Sequence, residues 1–270
     1  MMRMFDSYGE FVGGIESILA EEDFSPGDIY CLLGAGFEQP FGVPTFNGEG
    51  GLYEGDYLKE TFNKCAEGSG VTLRDGVVVG SDFSWPLREP LSRMMLDEFP
   101  KYFSSVFFDL YDSVQGFLKS HSEGAVKLSA DAISYRDLIR RLVSYGALVD
   151  TTCLGRIVEQ VCDVRVRHVH GDFYHLRNLE GGDEVLRDVD WSDTALRGEL
   201  MNTGRILLEG REFIPDLVYQ DDLTTAGVSR VGTMVSTARV VIAIGVNPGS
   251  QLGRLLKARC SRCLYFLGGR

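Results

Sequence analysis

The stretch that decides the fold is "GAGFEQPFGVPTFNG", Gly34–Gly48, which directly follows the apolar run "IYCLL". An apolar strand followed by a glycine-rich turn is typical of open α/β sheets, in which ligands bind beyond the carboxyl ends of the strands. The dinucleotide-binding pattern G-x-G-x-x-G is incomplete here, because Gln39 occupies its last position. The glycines alone are therefore compatible with a cofactor loop or with a simple glycine-rich turn, and they disfavour a generic Rossmann oxidoreductase.

The rest of the chain alternates short apolar strands with amphipathic helices, which predicts an α/β protein with a doubly wound parallel sheet. The turn Asp75-Gly76 predicts a hairpin within residues 71–80, and residues 171–193 read as a polar connection. The predicted helices include residues 8–21, 134–145 and 193–210 and the segments "LGRIVEQV" and "SQLGRLLKA". The predicted strands include "IYCLL", "ALVDTT", "VRVRHVH", "DLVY", "ARVVIAIGV" and "CLYFLG".

The composition restricts the function classes. The chain has 27 Lys and Arg against 39 Asp and Glu, a net charge of -12, which argues against an exposed nucleic-acid-binding face. No apolar run is long enough to insert into a membrane, and no targeting peptide is legible, so we expect an intracellular protein of cytoplasm or nucleus, with the mitochondrion also open. The six cysteines do not form a disulfide framework. Cys260 and Cys263 form one CxxC, which fits either two thiols beside a strand or a metal or redox site.

Five segments resemble the motifs of the sirtuin (Sir2) family, in the family's order. The opening stretch resembles the signature in which GAG precedes G-[IV]-P and an aromatic residue. The later segments are "TTCLGRI" (151–157), "VRHVHGDFYHLR" (166–177), "IPDLVYQDD" (214–222) and "ARVVIAIGVNPGSQ" (238–251). The resemblance implies a Rossmann-like large domain formed by residues 1–57, 134–170 and 214–270. It also implies an enlarged inserted helical module at 58–133, and a remnant of the zinc-binding module at 171–213.

The resemblance also implies a set of site residues and NAD as the cofactor. His170, followed by Gly171, corresponds to the catalytic histidine, which acts as a general base; imidazole suits a base that works near neutral pH. The positions that correspond to cofactor contacts are Gly34, Ala35, Gly36, Pro44, Phe46, Thr152, Cys153, Gly245 and Asn247.

The departures from the family pattern fall on polar positions. Cys153 stands where the family has asparagine, Asn47 where it has arginine, and Glu38 where it has serine. The two CxxC pairs that hold zinc in the family are missing after His170, which predicts a module without zinc and no other metal site. Packing around Trp191 and the helix that begins near Asp193 is expected to hold this module instead.

These departures favour a degenerate or inactive relative of the NAD-dependent protein-lysine deacylases. We expect it to act as a binding or structural subunit, with protein partners and a place in a larger assembly, and with NAD as the cofactor that the fold would take. The alternative is an active NAD-dependent protein deacylase or ADP-ribosyl transferase that uses His170 as general base and an acylated protein peptide as substrate.

Overall fold

The computed structural model of the protein describes residues 2–43, 56–87, 93–178, 186–217 and 222–267. The strands are β1 (Met2–Phe5), β2 (Ile29–Leu33), β3 (Thr72–Arg74), β4 (Val77–Val79), β5 (Ser84–Pro86), β6 (Leu148–Thr151), β7 (Arg167–His168), β8 (Gly171–Asn178), β9 (Leu186–Asp188), β10 (Ile206–Leu208), β11 (Arg211–Leu217), β12 (Val240–Ile244) and β13 (Cys263–Phe266). The helices are α1 (Tyr8–Glu21), α2 (Tyr57–Ala66), α3 (Arg93–Glu98), α4 (Pro100–Ser122), α5 (Ala130–Ser144), α6 (Ile157–Cys162), α7 (Thr194–Thr203), α8 (Asp222–Thr237) and α9 (Gln251–Arg259).

The chain divides into two compact units. The first consists of Met1–Thr45, Val114–His170 and Asp222–Arg270, and the second of Phe46–Ser113 and Gly171–Asp221. The finer division into a large domain, an inserted helical module and a zinc-module remnant stays a prediction. No helix in the described part of the chain is both long and apolar enough to cross a membrane.

The first unit contains a six-stranded sheet in the order β1-β13-β12-β2-β6-β7, and every neighbouring pair in it is parallel. The predicted parallel α/β sheet is therefore confirmed. The central strands β2 and β12 are buried along their whole length, as expected of strands covered on both faces. Helices α8 and α9 cover one face; their side chains Val231, Val235, Leu252 and Leu256 pack in one core with residues of β2, β12 and β13.

Helix boundaries in the first unit follow capping groups. Helix α1 has the predicted bounds, and the Ser7 side chain accepts a hydrogen bond from the N–H of Glu10 at its start. Helix α5 begins four residues earlier than predicted. The Ser129 hydroxyl accepts a hydrogen bond from the N–H of Ala132 (3.1 Å), and this cap sets the start. The sequence interpretation did not contain β1 or α8.

The second unit contains the predicted hairpin, in which β3 and β4 pair antiparallel around Asp75 and Gly76. Its larger sheet has the order β10-β11-β8-β9. The polar stretch 171–193, in which the sequence predicted no strand, contains β8, an eight-residue strand that pairs with both β11 and β9. Helix α7 ends well before Gly210. Gly204, with φ 72°, donates its N–H to the Leu200 carbonyl and closes the helix there.

Trp191 is the centre of an aromatic core in the second unit, as the sequence predicted. It is 0% exposed, and its ring meets the rings of Phe107 and Phe108 edge-on at centroid distances of 5.5 and 5.3 Å. Its indole N–H donates to the Phe173 carbonyl (2.7 Å). Asp193 caps α7 immediately after this residue. Aromatic packing and a satisfied indole therefore hold β8 and the segment that leads into α7.

Candidate functional site

The candidate site lies where the strand order of the first unit reverses. β2 and β12 are neighbours, and the sheet continues from β2 through β6 and β7, and from β12 through β13 and β1. The loops that follow β2 and β12 leave the sheet at this switch point, where open α/β sheets form a crevice for ligands. The structure therefore brings the predicted residues Gly34–Gly36 and Gly245–Asn247 together.

The two loops touch backbone to backbone. A Cβ atom at Gly34 would lie 2.2 Å from the carbonyl oxygen of Gly245, and one at Gly36 would lie 2.9 Å from the Cα of Gly245. Gly245 itself has φ 68°, and a Cβ atom there would lie 2.3 Å from the nitrogen of Phe37. Only glycine fits these three positions. The glycines are thus required by contact between the loops, whether or not a ligand binds.

Most N–H groups of the glycine loop have acceptors within the protein. Anion binding by such a loop depends on N–H groups that point at the ligand. Four of the five N–H groups from Gly34 to Glu38 have such acceptors: Gly34 donates to the Ile244 carbonyl (2.7 Å), Gly36 to the Gly245 carbonyl (3.1 Å), Phe37 to the Gly34 carbonyl (2.9 Å) and Glu38 to the Ala35 carbonyl (3.1 Å). The loop is therefore closed on itself and on its neighbour.

The Phe37 side chain turns into the core. It is fully buried, and its ring lies 5.6 Å from that of Phe41 and 5.4 Å from that of Tyr135. Tyr135 lies on α5. The first aromatic residue of the loop therefore anchors the loop to a helix of the same unit, which is a structural role.

The side-chain oxygen of Asn247 accepts a hydrogen bond within its own turn. Oδ1 accepts a hydrogen bond from the N–H of Gly249 (2.8 Å), and the Asn247 carbonyl accepts from the Ser250 hydroxyl (2.6 Å). Ser250 in turn caps α9 by accepting from the N–H of Gly253. The structure places Asn247 at the predicted crevice but uses its acceptor to shape the loop.

Thr152 and Cys153 lie beside the glycine loop, as the resemblance implied. The Thr152 N–H donates to the Leu33 carbonyl (2.8 Å) and extends the pairing of β6 with β2. The Cys153 side chain is buried, and its thiol lies 3.5 Å from the Gly34 carbonyl oxygen, to which it donates. Burial raises the pKa of this thiol well above its ordinary value. Cys153 is therefore a neutral group that holds the loop from beneath.

Glu38 is buried under the same loop. It is 6% exposed, and its Oε1 has no hydrogen-bond partner among the residues that the structure describes. Burial raises the pKa of Glu38 to about 8, although a hydrogen bond with Cys153 and the nearby His168 act in the opposite direction. The carboxyl is consequently neutral at pH 7, and its unpaired oxygen is the one unsatisfied polar group of this cluster on the loop itself.

His168 completes the buried cluster and was missed by the sequence interpretation, which chose His170 from the same motif. Its Nδ1 lies 2.6 Å from the Cys153 carbonyl oxygen, and its Nε2 lies 2.7 Å from Oε1 of Glu159. Because a carbonyl oxygen only accepts, Nδ1 carries a proton and donates it. The hydrogen bond between Nε2 and the Glu159 carboxyl requires a proton on one of these two groups. His168 thereby links α6 to the turn after β6.

His170 is half-buried at the end of the segment that follows β7. Burial lowers the pKa of His170 below its ordinary value, so the imidazole is neutral at neutral pH. A neutral imidazole has the protonation state that a general base needs. Gly171, which follows it, has φ 76°, and a Cβ atom there would lie 1.5 Å from the Asp216 carbonyl oxygen. Glycine is thus required after the histidine by the pairing of β8 with β11.

Two predicted contact residues, Pro44 and Phe46, lie outside the described residues, as does Asn47. Their proposed roles stay predictions. Within the described ranges, no group of three or more His, Cys, Asp or Glu side chains is arranged to hold a metal ion. Zinc content also stays a prediction.

The described residues fit the pyrophosphate of NAD poorly. An anion needs free donors or positive charge, whereas four of the five N–H groups from Gly34 to Glu38 are paired and the Cys153 thiol donates to Gly34. The carboxyl of Glu38 lies under the loop with an unpaired oxygen, and ionising it would add a negative charge where the cofactor phosphates are expected. We therefore derive no reaction step through NAD.

Comparisons with known proteins identify the fold. No protein-family model matches the sequence, and no curated protein matches it. Among solved structures, one of Sir2 with a p53 peptide and NAD+ is similar, with 16% identity, 96% of this chain and 87% of that chain covered, and a TM-score of 0.54. Sir2Tm bound to a propionylated peptide shows 14% identity, coverages of 93% and 84%, and a TM-score of 0.55.

A third similar structure, described as "Structural Basis for the Mechanism and Regulation of Sir2 Enzymes", shows 17% identity, coverages of 94% and 84%, and a TM-score of 0.54. The likeness extends over nearly the whole chain, and the identities are at a level that speaks for fold alone. Together with the six-stranded parallel sheet and its switch point, it shows that this chain has the Rossmann-like fold of the sirtuins.

Proposed function

We propose that the protein is a non-catalytic, sirtuin-fold binding subunit that does not turn over NAD efficiently. The observation that carries the proposal is the contact of the Cys153 thiol with the Gly34 carbonyl (3.5 Å). At this position the sirtuin motif has an asparagine, whose amide offers both donors and an acceptor to a ligand. Here the side chain is a buried neutral thiol that faces the protein.

Three neighbouring features support the same proposal. The Asn247 side-chain oxygen accepts from its own turn, four of the five N–H groups from Gly34 to Glu38 are paired, and Glu38 is buried as a neutral acid. The hydrogen bonds of Asn247 and of the loop N–H groups stabilise the loops around the switch point. The polar groups that a reaction at this site would need therefore bond within the protein, whereas the backbone shape of the site remains.

The partners we propose are proteins. The net charge of -12 favours basic protein segments over nucleic acid. Two of the similar structures hold peptides, a p53 peptide and a propionylated peptide. A peptide-like segment of a partner protein is accordingly the class of ligand that we propose for this chain, within a larger assembly.

A second candidate function is an active NAD-dependent deacylase or ADP-ribosyl transferase. One observation favours it: burial lowers the pKa of His170, so that the residue is a neutral imidazole with the protonation state of a general base. The substrate would be an acyl-lysine peptide, and His170 would accept a proton.

Nicotinamide release separates the two candidates. The purified full chain is incubated with NAD and an acetylated or propionylated peptide, and nicotinamide is quantified by chromatography beside His170→Ala. We expect release at the same background rate in both proteins. As a matched control, His175→Ala replaces a histidine of β8 that pairs with Asp172 and Asp188 instead. Release by the wild type that His170→Ala abolishes and His175→Ala retains would establish the enzyme and overturn the proposal.

A further inference from the structure

The CxxC of the sequence forms a thiol pair at the junction of α9 and β13. Cys260 follows the last residue of α9 and donates its N–H to the Leu256 carbonyl (3.1 Å), and Cys263 is the first residue of β13. The two thiols are in hydrogen-bond contact with each other. Both pack against the same apolar core, which also contains Leu256. The short bend between α9 and β13 therefore brings the two thiols together.

The two thiols differ in exposure and in acidity. Cys263 is 1% exposed, whereas Cys260 is half-buried and reaches solvent. Hydrogen bonds from the Cys263 thiol and from the backbone N–H of Arg262 lower the pKa of Cys260. The hydrogen bond to Cys260 and burial raise the pKa of Cys263. Cys260 is thus the thiol that ionises first and that a reagent can reach, and Cys263 lies directly behind it.

The other cysteines lack this combination. Cys31 and Cys162 are buried, and burial raises the pKa of Cys162 to about 12. Cys153 is buried under the glycine loop. Cys65 is half-buried, and its Sγ lies 3.5 Å from the Ser105 hydroxyl. Buried thiols with raised pKa values react slowly, because the thiolate is the nucleophile.

The thiol pair is remote from the candidate site along α9. This helix begins at the Ser250 cap, beside the turn of Asn247, and ends at Cys260. β13 begins at Cys263 and ends near the switch point, where the Phe266 carbonyl accepts from the N–H of Gly245. The thiols therefore lie at the amino ends of the strands, whereas the glycine loop lies at their carboxyl ends. The chemistry of the thiols is independent of the proposed function.

We propose that Cys260 and Cys263 are a redox-active dithiol that forms a reversible intramolecular disulfide by exchange with small-molecule disulfides. The Cys260 thiolate attacks one sulfur of the reagent, forms a mixed disulfide and releases one thiolate, which takes up a proton. Cys263 then loses its proton to solvent and attacks the Cys260 sulfur, which releases the second thiol. Two protein thiols are oxidised, and one disulfide is reduced to two thiols. The sulfur atoms move from hydrogen-bond contact to a bond of about 2.05 Å.

Peptide mapping after oxidation tests the proposal. The native full chain is incubated with oxidised glutathione, free thiols are alkylated after denaturation, and the digest is read by mass spectrometry. We expect a Cys260–Cys263 disulfide that dithiothreitol reverses, with Cys31, Cys153 and Cys162 recovered as alkylated thiols. An unreacted Cys260, or glutathione retained on Cys260 of the wild type with Cys263 still free, would overturn the proposal.

Three variants resolve the order of the steps. Cys263→Ser is expected to stop at the mixed disulfide of Cys260 with glutathione. Cys260→Ser is expected to leave Cys263 as a free thiol, without a mixed disulfide and without an intramolecular disulfide. Cys65→Ser is the matched control at the other half-buried thiol and should form the disulfide like the wild type. The wild-type map decides the question even if Cys263→Ser fails to fold. Nicotinamide release plays no part in this readout, so the two proposals can fail separately.

Discussion

Glu38 shows at the residue scale how burial decides chemistry. The sequence places an acidic residue after the GAG motif, and its type alone suggests a negative charge near the expected cofactor phosphates. The structure buries the carboxyl and raises its pKa to about 8, so the group is neutral at pH 7. A motif specifies which residue occupies a position. It does not specify whether water solvates that residue, which depends on loops far apart in the chain.

The raised pKa makes a testable contribution to stability. The pKa of Glu38 is about 8 in the folded protein and 4.5 ordinarily, so the folded state binds the proton more tightly. The associated stability is complete below pH 4.5 and is lost as the pH rises through about 8. Glu38→Gln removes this dependence. We expect the free energy of unfolding of the variant, relative to wild type, to rise by up to about 5 kcal/mol between roughly pH 5 and 9.

Urea denaturation of both proteins at a series of pH values measures this difference. Comparison with Glu38→Gln isolates Glu38 from the other titrating groups, among them Glu159 and His168 close to it. Parallel stability curves for the two proteins would show that Glu38 is ionised in the folded state at neutral pH.

The histidines of "VRHVHG" mark the limit of residue-level prediction. The resemblance singled out His170, and the structure gives it a neutral imidazole at neutral pH. His168, two residues earlier, makes the contacts to Cys153 and Glu159 that the sequence did not reveal. Glu159 and His168 lie nine residues apart on a helix and a strand, and no local spacing rule joins such a pair. The alternation of the predicted strand "VRVRHVH" would put both histidines on one face and could not choose between them, and in the structure His170 lies in a turn beyond β7.

At the element scale, the contact between the loops after β2 and β12 explains the glycines. We expect Gly34→Ala to lower the free energy of unfolding by about 1–3 kcal/mol or more, because the added Cβ overlaps backbone that cannot move away by rotation. The contact would be 2.2 Å to the Gly245 carbonyl oxygen. Gly13→Ala is the matched control in α1, where nothing lies within 4 Å of the added atom. It should stabilise the protein by about 0.5–1 kcal/mol.

Denaturant unfolding of the two variants gives both values directly. Equal stabilities for Gly34→Ala and wild type would mean that the two loops do not touch as described. The same backbone contact was only partly predictable. The sequence shows glycines after two apolar strands, but which strands are neighbours depends on the tertiary order.

The second unit is expected to be stable without metal. Trp191, with its indole bonded to Phe173, and the Arg177–Asp216 ion pair (2.7 Å from Nε to Oδ1) connect β8 to its neighbours. We therefore predict that a zinc chelator leaves the melting temperature unchanged. Elemental analysis should find no stoichiometric zinc in the purified protein. A fall in melting temperature with the chelator, reversed by added zinc, would contradict this account.

Element prediction failed where tertiary packing overrides local preference. Helix α8 contains Gly, Thr, Ser and Val at many positions, all weak helix formers, so its local sequence does not predict a helix. Its Val231 and Val235 are buried in the core with β12, and this packing holds the helix. Strand β8 was missed because its composition is polar. Its polar residues Asp172 and His175 form a hydrogen bond with each other, which allows them to lie in a strand.

At the scale of the whole molecule, the fold class was predictable and the strand order was not. Alternating apolar strands and helices predicted a parallel sheet, and five motifs in order predicted the sirtuin type, which the structural comparisons confirm. The order β1-β13-β12-β2-β6-β7 places the first strand beside the last. Pairing across the full length of the chain leaves no trace in local periodicity. The terminal strand β1 was missed for this reason.

A protein can keep its fold without keeping the polar groups of a catalytic site. Glycines and apolar strands are fixed by contacts that the fold itself requires, as at Gly34 and Gly171. Polar residues around the switch point are free of that requirement, and here they bond to the protein. A sequence comparison does not distinguish the positions that the fold requires from the polar positions around the switch point, whereas their contacts in the structure do.

The measurement that tests the central claim most directly is a calorimetric titration of ADP-ribose, with NAD in parallel, into the full chain. ADP-ribose carries the pyrophosphate and ribose groups without the bond that a sirtuin reaction would break, so it reports the loop alone. Because four of the five N–H groups from Gly34 to Glu38 are paired internally, we predict no saturable heat up to about 1 mM ligand, a binding free energy weaker than roughly -4 kcal/mol. Saturation with a micromolar dissociation constant would contradict the account.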